Sequence, residues 1–342
     1  KIFIMSTILS LAPQNVWKHF YSLTQIPRPS GHMEKITAFL LGFGKELGLE
    51  SFVDEAGNVI IRKPATPGME NRKGVILQAH MDMVPQKNSS VKHDFLTDPI
   101  DAYIDGDWVK ARETTLGADN GMGAAFAMAV LADKTLTHGP LEALFTINEE
   151  VGMDGAVGLK PGFLKGEILL NCDSEEEGEL FVGCAGGADL NVSMQFKEDT
   201  YIPEGDVAVK ISLTGLKGGH SGGDIHLGRG NANKILNRFL TRMATRHDLY
   251  LCEINGGNLR NAIPREAYAI CAVPEDAKHD VRTELNIFTS EVENELSVTE
   301  PDLRLVLESE TPRKTAIDQD TTARLLKALY AAPHGVYAMS QD

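Results

Sequence analysis

The residues of this sequence that could do chemistry are His80 and Asp82 in Val75-Ile76-Leu77-Gln78-Ala79-His80-Met81-Asp82, then Asp119, the doublet Glu149-Glu150, and Asp173. Val75 to Gln78 precedes His80, Leu141 to Ile147 precedes the doublet, Ile168 to Asn171 precedes Asp173, and Asp119 sits in the glycine-rich stretch 117–123. Short apolar runs of this kind read as strands, so all these positions could lie on one edge of a sheet. In open α/β sheets ligands bind beyond the carboxyl ends of the strands. Carboxylates crowded there cannot all stay ionised unless a cation joins them. The pattern therefore points to a metal centre, in which one carboxylate of the doublet binds metal while its neighbour stays free as a general base. As a ligand, His80 needs its other ring nitrogen held, which Asp82 can do.

Each position also has a plainer reading. A histidine at a strand end is often a satisfied core residue, acidic doublets are usually exposed, and the run Asp173 to Glu179 resembles a solvated loop in which only Asp173 is well placed as a ligand. Gly117-Ala118-Asp119-Asn120-Gly121-Met122-Gly123 looks like a phosphate cradle, but an aspartate within it would repel phosphate and the Walker lysine is missing. Taken alone, that segment reads better as a turn with Asp119 capping the next helix. Further along, His220 in Gly218-Gly219-His220-Ser221-Gly222-Gly223-Asp224 is as consistent with a flexible surface loop as with function, and Asn261 with a simple turn.

The positioning elements follow from periodicity. Val16, Phe20 and Leu23 mark one helix face, and Ile36, Leu40, Phe43 and Leu47 a second. Strands are expected at 58–63, 75–78, 141–147 and 168–171, with a small-residue helix at 121–132 among them. Alternating strands and helices imply an α/β domain with a mostly parallel central sheet. Around Gly183-Cys184-Ala185-Gly186-Gly187 the composition changes, which suggests a hinge. Beyond it come strand 207–213, helix 233–245, strands 249–254 and 267–273, helix 281–296 and strand 303–307, the βαββαβ order of a ferredoxin-like α+β domain. A last helix is expected at 321–330. The expected domains are therefore 1–186 and 187–342.

Composition narrows the function classes. A length of 342 residues suits two domains. A net charge of -15 argues against nucleic acid as the main partner. The four cysteines form no C-x-x-C pair, so a reducing cytoplasm is the default expectation. The stretch Lys1 to Ala12 has too brief an apolar core for a signal peptide, and translation is expected to begin at Met5. No run approaches the ~20 apolar residues of a membrane span.

Taken together, the residues resemble the co-catalytic zinc metallopeptidase family of carboxypeptidase G, bacterial dipeptidases and aminoacylases, and within it the aminoacyl-histidine dipeptidases. The strings that carry the likeness are Leu77-Gln78-Ala79-His80-Met81-Asp82-Met83-Val84-Pro85-Gln86-Lys87, Thr114-Thr115-Leu116-Gly117-Ala118-Asp119-Asn120-Gly121, Asn171-Cys172-Asp173-Ser174-Glu175-Glu176 and Asn261-Ala262-Ile263-Pro264-Arg265-Glu266. The resemblance implies a zinc-peptidase catalytic domain with an inserted lid, two divalent ions (zinc, with cobalt or manganese as alternatives), small dipeptide substrates including Xaa-His, and a homodimer. It implies that His80, Asp119 and Asp173 hold one ion, that Asp119 bridges to a second held also by Glu150, and that Glu149 is the base while Asp82 supports His80. It further implies a cis peptide after Asp119, and substrate contacts from His220 and Asn261.

Two departures stand out. The strand after the Asn-x-Ile-Pro motif, Ala267 to Val273, lacks the arginine that many relatives use to hold the substrate carboxylate, leaving Arg260 and Arg265 as weak substitutes. A last metal-ligating histidine, in a His-Ala-Gly-Leu-Glu-like segment, also has no counterpart, and His334 does not match it. By this reading the chain resembles a C-terminally truncated member, with a weakened second metal site and little activity by itself. Two rival readings are an N-acyl amino acid amidohydrolase using the same metals and, for the chain as it stands, a non-catalytic metal- or peptide-binding protein.

Overall fold

A computed structural model describes residues 7–174, 176–183 and 186–339. Residues 1–6, Glu175 of the acidic run, and Cys184 and Ala185 of the expected hinge lie outside it. The chain divides into two compact units, Lys1–Gly186 and Gly187–Asp342.

The first unit runs α1 (Gln14–Thr24), α2 (Glu34–Glu46), β1 (Glu50–Val53), β2 (Val59–Lys63), β3 (Val75–His80), a hairpin of β4 (Ala102–Asp105) and β5 (Trp108–Ala111), α3 (Ala118–Ala132), β6 (Leu141–Thr146), the short α4 (Asp154–Gly158) and β7 (Ile168–Asn171). Its sheet has the order β1-β2-β6-β3-β7. The trio β6, β3 and β7 is parallel, while β2 pairs antiparallel with β6 and β1 antiparallel with β2. Every residue of β6 is buried, as expected for a strand covered on both faces. Phe20 and Leu23 of α1, Ile36 and Leu40 of α2 and Ala124, Ala125 and Ala127 of α3 pack on one face, and Ile60, Ile76 and Leu144 form a smaller cluster separate from these. Register then sets the site: His80 pairs with Thr146 and Gln78 with Asn171, so the chain leaves all three parallel strands at one edge.

The second unit runs β8 (Thr200–Tyr201), β9 (Val207–Thr214), α5 (Ala232–Ala244), β10 (Tyr250–Gly256), β11 (Ala267–Val273), α6 (Lys278–Glu295), β12 (Arg304–Ser309), β13 (Thr315–Ala316) and α7 (Gln319–Ala331). Its main sheet is antiparallel with the order β10-β11-β9-β12, the ferredoxin-like arrangement. Helix α5 buries Ile235, Leu236, Phe239, Leu240 and Met243, an i, i+3/i+4 stripe. Phe239 meets Phe288 of α6 at 5.5 Å between ring centroids. The alternate residues Val209, Ile211 and Leu213 of β9 join the same core, so both helices share one face of the sheet. Among the described residues no helix is long and apolar enough to cross a membrane.

Candidate metal centre

His80 ends β3 and is fully buried. Its Nε2 lies 2.9 Å from Asp119 Oδ1 and 3.8 Å from Asp173 Oδ1, and its Nδ1 lies 3.3 Å from Asp82 Oδ1. Asp119 stands in the first turn of α3, where its own backbone and that of Asn120 are non-helical and the peptide between them is cis. Asp173 stands two positions beyond the end of β7, its amide tied to Asn171 Oδ1 at 2.9 Å. The doublet follows β6 in a single turn of 3-10 helix. Ligand atoms of His80, Asp119 and Asp173 lie within 4.8 Å of one another, and so do those of His80, Glu149 and Glu150.

The doublet is aimed by contacts that reach far along the chain. Asn148 adopts a left-handed backbone (φ 51°), which turns the chain sharply after β6; asparagine tolerates this conformation better than most residues. Its Oδ1 accepts the Gly31 amide at 2.8 Å. Asp82, fully buried, then accepts the Glu149 amide on Oδ1 (3.1 Å), and on Oδ2 the Glu150 amide (3.4 Å) and the Ser30 hydroxyl (2.6 Å). Asp82 thus braces His80 and the doublet at once.

The acidic groups and the imidazole of the cluster perturb one another strongly. Burial together with the Asp119 charge pushes the Glu150 carboxyl up to about 8. Burial likewise lifts Asp173 to about 7, with Asp119 adding to the shift against the pull of His80. Burial opposes a charged His80, but the Asp119 and Asp82 carboxylates override it and raise the imidazole to about 10. Burial also works against the Asp82 charge, yet His80, Ser30 and the Glu149 amide outweigh it and hold that carboxyl below its usual range. Carboxylates that resist ionisation around one buried imidazole are a donor set that hard or borderline divalent cations fit.

Over 332 residues the chain is 51% identical to the cytosol non-specific dipeptidase of Escherichia coli (strain K12), covering 97% of this chain and 68% of that protein. The chain belongs to the M20 peptidase family. The aminoacylhistidine dipeptidase of Vibrio alginolyticus is similar in structure, with 48% identity, a TM-score of 0.53, and coverage of 98% of this chain and 68% of that one. Residues 211–300 match the peptidase dimerisation domain of the M20 family. An uncharacterised protein of Bacillus subtilis, YqjE, is 27% identical over 170 residues, 46% of this chain and 42% of its own length.

Six of the expected site residues, His80, Asp82, Asp119, Glu149, Glu150 and Asp173, thus come together within the first unit of this M20 peptidase. His220 and Asn261 belong to the second unit and adjoin each other there: the Ser221 amide donates to Asn261 O at 2.8 Å, and His220 bridges Ala262. His220 Nδ1 accepts the Gly222 and Gly223 amides at 3.1 and 2.9 Å, so in the neutral ring the proton sits on Nε2. Arg260 pairs instead with Asp189. Sequence reasoning missed Ser30, Asn148 and Arg28. The left-handed turn at Asn148 had a signal in its residue type, whereas Ser30 and Arg28 reach the site only through packing.

Proposed function

We propose that this protein is a metal-dependent dipeptidase, with residues 1–186 as catalytic domain and 187–342 as lid and dimerisation domain. The observation that carries the reading is the convergence of His80, Asp119, Asp173, Glu149 and Glu150 at the carboxyl edge of three parallel strands. His80, Asp119 and Asp173 would hold one divalent ion, and Asp119 with Glu150 a second; zinc suits this mixture of imidazole and carboxylate donors. When bound, the ions lower the pKa of water and polarise the scissile carbonyl. Glu149 takes the proton from the attacking water and later delivers it to the leaving amine. Asp82 keeps the imidazole and the doublet in register, and His220 is the proposed oxyanion donor, either to a neighbouring active site across a dimer or after closure of the lid, a role worth ~3 kcal/mol per donor in such sites. Dipeptides, including those ending in histidine, are the proposed substrates and Asn261 a proposed contact to them. The name of the E. coli relative supports a cytoplasmic dipeptidase, and that of the Vibrio relative supports action on aminoacyl-histidine substrates.

The test is release of free amino acids from β-alanyl-histidine and a panel of ordinary dipeptides, with zinc or a chelator present. It is run on the chain itself and on a fusion supplying the part of the E. coli relative that it does not cover. Chelator-sensitive hydrolysis, lost in Glu149→Ala, is the expected result. Release of acetate from acetyl amino acids with no action on dipeptides would favour an amidohydrolase instead. Zinc binding without hydrolysis in either protein would make this a binding protein.

A further inference from the structure

Arg28 lies between two prolines on the loop joining α1 and α2, and it is among the largest fully buried side chains of the protein. A guanidinium is rarely buried without a task, because desolvating it is costly unless its protons are taken up. Here Nη1 donates to Met81 O at 3.1 Å and to Asp82 O at 2.8 Å, and Nη2 donates to Gly117 O at 2.5 Å. Met81 and Asp82 directly follow His80, and Gly117 stands two residues before Asp119. One rigid fork therefore spans the strand end bearing His80 and the loop bearing Asp119. No single-point ammonium could reproduce that geometry.

Two of the three glycines of the 117–123 stretch, Gly117 and Gly121, abut this side chain, whereas Gly123 faces Asn120 and Cys172. A Cβ on Gly117, whose φ is +71°, would stand 2.7 Å from Arg28 Nη2, and a Cβ on Gly121 would meet the same atom at 2.7 Å. What looks like a phosphate cradle in the sequence is a cradle for an arginine of the protein itself. Burial pulls the Arg28 pKa down to about 10 while Asp82, Asp119 and Glu150 support its charge, so it remains a cation at neutral pH beside the carboxylates.

We propose that Arg28 is a positioning residue of the metal centre: its guanidinium, admitted by Gly117 and Gly121, sets the separation between the β3 end carrying His80 and Asp82 and the loop carrying Asp119. The inference rests on the reading of His80 and Asp119 as metal ligands and deepens it.

Zinc affinity, measured on the intact protein by competition with a chromophoric chelator, is the primary readout, with dipeptide turnover at saturating zinc as the second. Arg28→Lys keeps the charge and loses the fork; Gly121→Ala keeps the arginine and crowds it, so the test survives if the first variant fails to fold. Both are expected to bind zinc about tenfold or more weakly, as removal of groups that orient metal ligands commonly does, with kcat reduced and KM little changed. Leu40→Ala, a truncation in the buried face of α2, shows what destabilisation alone does, and its zinc affinity is expected within about twofold of wild type. Folded Arg28→Lys and Gly121→Ala proteins that bind zinc as wild type does would overturn the proposal. So would a loss in Leu40→Ala equal to theirs, or a zinc affinity unmoved by Asp119→Asn. Weakened zinc binding where neither the chain nor the fusion hydrolyses a dipeptide would leave the positioning role standing and remove the functional reading.

Discussion

At the residue scale the site is a set of opposed preferences. His80 is raised to about 10, Glu150 to about 8 and Asp173 to about 7, all above the values these groups have in an unfolded chain. Between roughly pH 5 and 8 the metal-free fold therefore binds more protons here than the unfolded chain does, and the site's contribution to stability falls as pH rises. Denaturant unfolding in chelator at pH 5.5 and 8 should show that fall, and saturating zinc should reverse it. Because ligands must shed protons to bind, zinc uptake at pH 7.5 should release protons and zinc affinity should climb with pH. Calorimetry in two buffers of different ionisation heat measures this directly, and an identical heat in both would contradict the assignment. For Glu149→Ala the expectation is a loss of turnover of at least about 10²-fold with zinc binding largely kept, as befits a base that is not itself a ligand.

At the element scale, the turn between β1 and β2 braces the loop that carries the doublet. Asp54 Oδ1 accepts the amides of Ala56, Gly57 and Asn58 at 3.0, 2.9 and 2.8 Å, which closes the turn. The buried Asn58 side chain then donates to Gly155 O at 2.8 Å and accepts the Ile147 amide at 3.2 Å, on either side of the doublet. Asn58→Ala strands these buried partners and should cost about 1–3 kcal/mol in denaturant unfolding, with a fall in kcat as well. A loss of stability with unchanged turnover would show that the doublet does not need this brace. Most of the elements were legible in the sequence, since the apolar periods of α1, α2, α5 and β9 are burial patterns that any packed fold must honour. The strand β1, the β4–β5 hairpin and the short pair β8–β13 were not, because their half-exposed residues carry little period.

At the scale of the whole molecule, two cores serve different ends. The first unit holds the proposed metal ligands at a sheet edge, and the second, with residues 211–300 matching a dimerisation domain, is the proposed seat of self-association. The expected outcome in sedimentation is a species of twice the 37.3 kDa chain mass, and a monomer at all concentrations would remove the dimer from the proposal. The chain spans about two thirds of the length of the E. coli and Vibrio relatives, which is why the activity test pairs it with a fusion that supplies the rest.

Residue type and spacing were enough to single out His80, Asp82, Asp119, Glu149, Glu150 and Asp173, because strand ends of a parallel sheet gather on one edge whatever else the chain does. The same local logic gave the ferredoxin-like order of the second unit. What only the tertiary structure decided is how the proposed ligands are held: Asp82 receiving the amides of the doublet from 67 and 68 positions away, and Arg28 stitching residues 81, 82 and 117 together through carbonyl oxygens. Backbone carbonyls are the same in every residue, and backbone amides in every residue but proline, so such contacts leave no mark in a sequence. They exist only once burial has removed the water that would otherwise satisfy those groups.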